Sequence, residues 1–171
     1  GIRIIENIDH EIINKLYEQA DGVPASELKI KDTEPGHHFF ILRNSNSSAL
    51  AHYNPATKML VRVLKQTTYG IDPRNAEQTF ALDALCNPDI QLISLTGKAG
   101  TGKTLLALAA ALHQHKRYKQ IFLARPIVPL ANRDMGFLPG DVKEKMDPYM
   151  QPLFDNLTVI KHRFSAQSPE F

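Results

Sequence analysis

Ile90-Gln91-Leu92-Ile93-Ser94-Leu95-Thr96 runs directly into Gly97-Lys98-Ala99-Gly100-Thr101-Gly102-Lys103-Thr104 and then into Leu105-Leu106-Ala107-Leu108-Ala109-Ala110-Ala111-Leu112-His113. The first run reads as a short apolar strand, the second as a glycine-rich turn, and Lys103 to His113 as an alanine- and leucine-rich helix. A second short apolar run, Ile121 to Ala124, reads as another buried strand. Strand, glycine turn, helix and strand in that order open an α/β layer with parallel strands.

Upstream, the pattern is different. Asp9 is placed to cap a helix whose residues Ile12, Ile13, Leu16 and Tyr17 share one face. Past Pro24 and Pro35-Gly36 come three apolar runs, His38 to Arg43, Ala49 to Tyr53 and Met59 to Leu64. Asn44-Ser45-Asn46-Ser47-Ser48 and Asn54-Pro55-Ala56-Thr57 separate them as turn-forming clusters, which predicts an antiparallel three-strand meander. Residues 1–66 therefore read as a small α+β domain and residues 67–171 as the start of the α/β layer. Within the second part, Asp72-Pro73 reads as a cap with proline in the first helical position, and the helix runs to Cys86 before Asn87-Pro88 stops it.

The octapeptide Gly97–Thr104 satisfies G-x-x-x-x-G-K-[ST] in the context that this pattern requires, after a strand and at the start of a helix. Its glycines let the backbone turn tightly and bring several N–H groups toward one point, where the helix N-terminus adds partial positive charge. A polyphosphate is the ligand that such a cradle suits. Gly97, Lys98, Ala99, Gly100, Thr101, Gly102, Lys103 and Thr104 are the candidate nucleotide-binding residues. Lys103 is expected to reach the β- and γ-phosphates as the catalytic lysine, and the Thr104 hydroxyl to ligate Mg²⁺. Lys98 is read as solvated rather than as a second phosphate ligand. ATP and Mg²⁺ are the expected cofactors.

Bulk properties set wide limits. The 171 residues are 43% hydrophobic and carry a net charge of +2, which fits a globular chain and does not by itself call for a polyanionic partner. Cys86 is the single cysteine, so an internal disulfide framework is excluded. Its apolar helical surroundings suggest a buried thiol. No apolar run approaches a membrane span, and Gly1-Ile2-Arg3-Ile4-Ile5 lacks the layout of a signal peptide, resembling a strand entered mid-protein. The cytoplasm is the expected location.

Further residues carry a resemblance. Tyr69-Gly70-Ile71-Asp72-Pro73-Arg74-Asn75-Ala76-Glu77-Gln78 before the loop and Ala124-Arg125-Pro126-Ile127-Val128-Pro129-Leu130 after it resemble the PhoH family of ATPases, relatives of superfamily one helicases. The likeness continues through Gly136-Phe137-Leu138-Pro139-Gly140-Asp141 and Pro152-Leu153-Phe154-Asp155-Asn156-Leu157. It implies a P-loop NTPase (RecA-like) parallel sheet, incomplete at its C-terminus and preceded by the α+β domain. The Gly1-Ile2-Arg3 opening looks like the connector of longer members that begin with a PIN ribonuclease domain. The activity implied for the parent is ATP hydrolysis coupled to RNA or DNA unwinding or remodelling. Single-stranded RNA is the favoured partner, and a homo-oligomer the expected assembly.

The resemblance also implies roles. Asn75-x-x-Gln78 matches the helicase pattern in which the glutamine amide pairs with the adenine edge; a plain surface glutamine is the alternative. Arg125, at the carboxyl end of its expected strand, corresponds to a segment that contacts the nucleic-acid backbone in related helicases; a structural ion pair is equally compatible.

An ATPase of this class also needs an apolar strand ending in an acid that holds the metal and activates water. No such acid is recognisable. Ile121–Ala124 ends in Arg125-Pro126, Asp141 with Glu144 reads as a capping box, and Asp147, Asp155 and Glu170 follow no strand. This is the pattern of a truncated or partial protein, in which two strands cannot bury both faces of a sheet. Val142, Met146 and Met150 form a helical stripe that suits core rather than a binding surface, here core whose other half is lacking. His113 and His115 diverge around their helix, His37-His38 suits a surface or strand edge, and no zinc spacing is present. Two other functions share the loop: a nucleotide-dependent assembly module without hydrolysis, and a small-molecule phosphotransferase, for which no arginine-rich lid follows Lys119.

Overall fold

A computed structural model describes residues 1–30, 34–126 and 142–167, with residues 142–149 and 167 described through their backbone alone. The protein is mixed α/β. It divides into two compact units, Gly1–Thr67 with Asp72–Leu95, and Thr68–Ile71 with Thr96–Phe171.

The first unit is organised by the alternation of its strands. β1 (Ile2–Ile5), β2 (Val23–Pro24), β3 (Phe39–Arg43), β4 (Ser48–Asn54) and β5 (Met59–Arg62) form a sheet in the order β1-β3-β4-β5-β2. β3, β4 and β5 are the expected antiparallel meander; Phe40 stands opposite Ala51, and Tyr53 opposite Leu60. β1 adds to it in parallel, with Ile4 opposite Ile41. Side chains alternate between the faces of a strand. Phe40, Leu42, Ala51 and Tyr53 accordingly enter one core with Ile13 and Leu16 of helix α1 (His10–Glu18). Asp9 caps α1 by accepting the Glu11 amide at 3.1 Å. Tyr17 stays half exposed but is held, its hydroxyl donating to the Ser48 carbonyl at 3.0 Å and Arg62 lying 3.7 Å over its ring.

The residues of the opposite register, Phe39, Ile41 and Leu50, meet Val63 and the helix α2 (Ala76–Cys86). Phe80 of α2 is fully buried and stacks on Phe39 with ring centroids 4.7 Å apart. Beside them, Nδ1 of His52 on β4 lies 3.6 Å from a carboxylate oxygen of Asp83 on α2. Burial holds His52 below its ordinary pKa, against the attraction of Asp83, and burial pushes Asp83 up. Half-buried Cys86 is also raised, by burial and then by Asp83. His37 and His38 are half-buried beside the start of β3, and His38 Nδ1 pairs with Glu34 at 2.8 Å.

Helix α2 starts later than Asp72-Pro73 suggests. Its cap is Asn75, whose side chain accepts the Gln78 amide at 2.8 Å, while the Asp72 carboxylate accepts the Thr67 hydroxyl. An asparagine three residues before a glutamine satisfies the first-turn amides better than the earlier Asp-Pro pair. The stop at Asn87 is as expected.

In the second unit, α3 (Lys103–His113) has the expected bounds and packs against α4 (Val142–Gln167). Leu106, Leu108, Ala109 and Ala110 of α3 and Leu153 and Ile160 of α4 are buried. A two-residue hairpin docks beside them. Thr68 and Ile71 exchange backbone hydrogen bonds of 2.9 and 3.0 Å around Tyr69 and Gly70, both with positive φ, as a type I′ turn demands. Tyr69 stacks on Phe164 of α4 at 4.5 Å and meets His115 edge-on at 6.5 Å. Gly70 touches the α4 backbone; a Cβ there would lie 2.8 Å from the Phe164 nitrogen.

Two expected strands differ. Ile90–Thr96 and Ile121–Ala124 form no ladder, and Leu92 and Phe122 are 90% and 87% exposed. A strand exists only through a neighbour that takes its N–H and C=O groups, and among the described residues neither segment has one. The parallel pairing present is β1 with β3, not the pair flanking the glycine turn. The capping box Asp141/Glu144, Asp147 and the Val142/Met146 part of the stripe lie outside the described side chains, as do Ile127–Leu130, Gly136–Asp141 and Glu170. No helix among the described residues is long and apolar enough to cross a membrane.

Candidate phosphate-binding loop

The loop's backbone is set by its glycines. Gly97, Gly100 and Gly102 have φ of 150°, 76° and 86°, conformations that side chains with a Cβ resist. Gly102 sits at the N-cap of α3 in the left-handed region, with no side chain capping the helix. That distinguishes α3 from α1 and α2, which Asp9 and Asn75 cap. The helix opens with a bond from Leu106 N–H to the Gly102 carbonyl at 2.9 Å. The amides of Lys103, Thr104 and Leu105 thus belong to the first turn, whose donors look outward beyond the helix end. No acidic residue occupies that turn.

Lys103 folds over the loop. Its Nζ donates to the carbonyls of Gly97 at 2.9 Å and Lys98 at 2.6 Å and to Thr101 Oγ1 at 3.2 Å. Thr101 Oγ1 in turn donates to the Lys98 carbonyl at 2.9 Å. Among the described residues Lys103 has no carboxylate partner, so its charge is met by neutral oxygens alone. Lys98, Ala99 and Thr104 are exposed, and a Cβ on Gly100 would meet nothing within 4 Å. Open space beside Gly100, a helix N-terminus without a side-chain cap and an ammonium with no carboxylate partner among the described residues together suit a polyphosphate. For a metal ion the donor set is thinner, since no group of three or more His, Cys, Asp or Glu side chains able to hold one occurs among the described residues. Among the described residues the Thr104 hydroxyl is the candidate ligand, beside phosphate oxygens and water.

Asn75 and Gln78 belong to the first unit, whereas the loop belongs to the second. Half-buried Gln78 accepts the Arg74 amide at 2.8 Å through Oε1. Arg125 is exposed and makes no ion pair among the described residues. Sequence reasoning did not assign the Thr101 hydroxyl to Lys103, nor the Tyr69-Gly70 turn to α4. The first had no signal beyond spacing; the second had Tyr-Gly before an Asp-Pro, a turn signature.

The profile of the family described as PhoH-like protein matches residues 70–168, more than half of the chain. The chain is 46% identical over 129 residues to Protein PhoH2 of Bacillus subtilis (strain 168), covering 72% of this chain and 28% of that one. It is 37% identical over 126 residues to Protein PhoH2 of Mycolicibacterium smegmatis, covering 72% and 29%. To Protein PhoH2 of Thermobispora bispora it is 33% identical over 129 residues, covering 74% and 30%. The chain thus spans less than a third of the length of these curated relatives. No solved structure matches it. With the glycine loop, the Asn75–Gln78 cap and the segment around Arg125 all inside or at the edge of the matched region, the chain belongs to the PhoH-like protein family.

Proposed function

We propose that this chain binds ATP with Mg²⁺ through Gly97–Thr104, and that its parent protein couples ATP hydrolysis to remodelling of RNA or DNA, single-stranded RNA first, in the cytoplasm. The observation that carries the reading is the uncapped N-terminus of α3 behind a loop of left-handed glycines, with Lys103 lacking any acidic partner among the described residues. The loop amides and the α3 dipole hold a polyphosphate. With nucleotide bound, Lys103 would exchange its own loop's oxygens for phosphate oxygens, and the Thr104 hydroxyl would be a ligand of Mg²⁺. Mg-ATP would supply the phosphoanhydride whose hydrolysis by water, to ADP and inorganic phosphate, provides the free energy used. Gln78 offers its amide to the base and Arg125 its guanidinium to a nucleic-acid phosphate. Calorimetric titration of Mg-ATP into the chain and into Lys103→Ala tests the reading. Removing one charge-assisted contact worth about 1.5–3 kcal/mol weakens binding by roughly tenfold to a hundredfold. Equal affinity in the two proteins would rule out Lys103 as a phosphate ligand.

A second reading is an assembly module that binds ATP without cleaving it. Exposure of Leu92, Ile121, Phe122 and Leu123 favours it, because such side chains suit burial against another protein surface. Phosphate release that rises with single-stranded RNA and disappears in Lys103→Ala separates the first reading from this one.

A further inference from the structure

The Lys103 ammonium has three protons to donate, and in this conformation three loop oxygens accept from it: the Gly97 carbonyl at 2.9 Å, the Lys98 carbonyl at 2.6 Å and Thr101 Oγ1 at 3.2 Å. None of these acceptors lies outside the loop. Thr101 takes part twice, because its hydroxyl also donates to the Lys98 carbonyl at 2.9 Å and so fixes the oxygen that Lys103 approaches most closely. The hydroxyl lies close to the first glycine as well, 3.5 Å from the position that a Gly97 Cβ would occupy. Thr101, Lys98 and Lys103 thus close a ring of hydrogen bonds, and an ammonium in that ring has no proton left for an incoming anion.

We propose that Thr101 is a positioning residue, a latch that holds Lys103 against its own loop and makes anion binding a competition with the closed ring. The proposal rests on the phosphate reading of the loop. An anion that needs Lys103 binds only the fraction of molecules in which the ring is open, so its apparent affinity is lowered by that fraction. The latch also keeps a charge that has no carboxylate partner among the described residues hydrogen-bonded when no anion is present. Removing the hydroxyl while keeping the branched shape takes away one acceptor from Lys103 and one donor from Lys98. The open fraction, and with it the anion affinity, rises.

The test uses the chain, Thr101→Val and Thr101→Ser. Acylation of the Lys103 amine by a water-soluble reagent is followed in nucleotide-free protein by peptide mass spectrometry, with exposed Lys116 and Lys119 as internal references. Tripolyphosphate binding is measured by calorimetry on the same proteins. With a hydrogen bond to a charged group at stake, Thr101→Val is expected to label about three- to tenfold faster at Lys103 and to bind tripolyphosphate tighter by a similar factor. Thr101→Ser, which keeps the hydroxyl, is expected to label at the parent rate. Unchanged labelling in Thr101→Val with tripolyphosphate bound by all three proteins overturns the latch and leaves the phosphate site standing. Faster labelling with weaker binding also overturns it, because the hydroxyl would then be an anion ligand. Failure of all three to bind tripolyphosphate removes the phosphate reading, and the latch's role with it.

Discussion

Replacing Gly70 by alanine puts a methyl group against the backbone of α4. The new Cβ would stand 2.8 Å from the Phe164 nitrogen, 3.0 Å from its Cα and 3.1 Å from the Arg163 carbonyl carbon, at a φ of 79°. Two costs add. Holding alanine in the left-handed region costs about 1–2 kcal/mol. Forcing an extra carbon into packed backbone costs about 1–3 kcal/mol more, because neither the hairpin nor the helix can yield as a flexible side chain would. A total of about 2–5 kcal/mol is a large fraction of the stability of a small unit. Gly100→Ala is the matched control: its φ is 76°, but its Cβ would meet nothing within 4 Å, so it carries the conformational cost alone. Amide hydrogen exchange of α3 and α4 reads the unit locally, without requiring the whole chain to unfold in one step. Gly70→Ala should speed exchange there well beyond Gly100→Ala, by about 1–3 kcal/mol when converted to free energy. Equal acceleration by the two variants would refute the docking of the Tyr69-Gly70 hairpin on α4.

Three other outcomes follow from the first unit and the loop. Phe80→Ala removes a fully buried ring stacked on Phe39 and should destabilise the unit by about 3–5 kcal/mol, seen as faster exchange in β3 and α2. For pH, burial holds folded His52 below its ordinary 6.5, so the unfolded chain takes up the proton first and stability falls as pH drops below 6.5. Burial raises Asp83 above 3.8, which has the opposite sign: folded protein takes that proton first, and stability recovers as pH falls toward 3.8. His52→Phe should therefore flatten the decline below pH 6.5 in urea unfolding; an unaltered slope would remove His52 as its source. Gly100→Ala, which carries only the conformational cost in stability, should also weaken tripolyphosphate binding, since its methyl enters the open space beside Gly100.

Local periodicity made the first unit readable. The turn clusters Asn44–Ser48 and Asn54–Thr57 bound β3, β4 and β5, whereas the division of Phe40 and Leu42 from Phe39 and Ile41 into two cores is not marked in the continuous apolar run Phe39–Leu42. What periodicity does not carry is the partner of each face, so α2, assigned by sequence to the second part, packs Phe80 on the sheet of the first. Helix α3 was legible to the residue because composition and the glycine turn both mark its start. Helix α4 was not, because Pro152 lacks the N–H that an interior position needs and argues locally against the helix that continues through it. Ile90–Thr96 and Ile121–Ala124 have strand composition, but a ladder depends on residues far away in sequence. The candidate loop residues were legible from the octapeptide alone, whereas the ring that Thr101 closes around Lys103 depends on rotamers that no spacing records.

Nitrogen-resolved NMR titration of the chain with tripolyphosphate and then with Mg-ATP tests the central claim most directly. The account predicts saturable shifts at the amides of Gly100, Gly102, Lys103 and Thr104 with both ligands. Saturable shifts that leave the amides of residues 97–104 unmoved, or no shifts with either ligand, would contradict it.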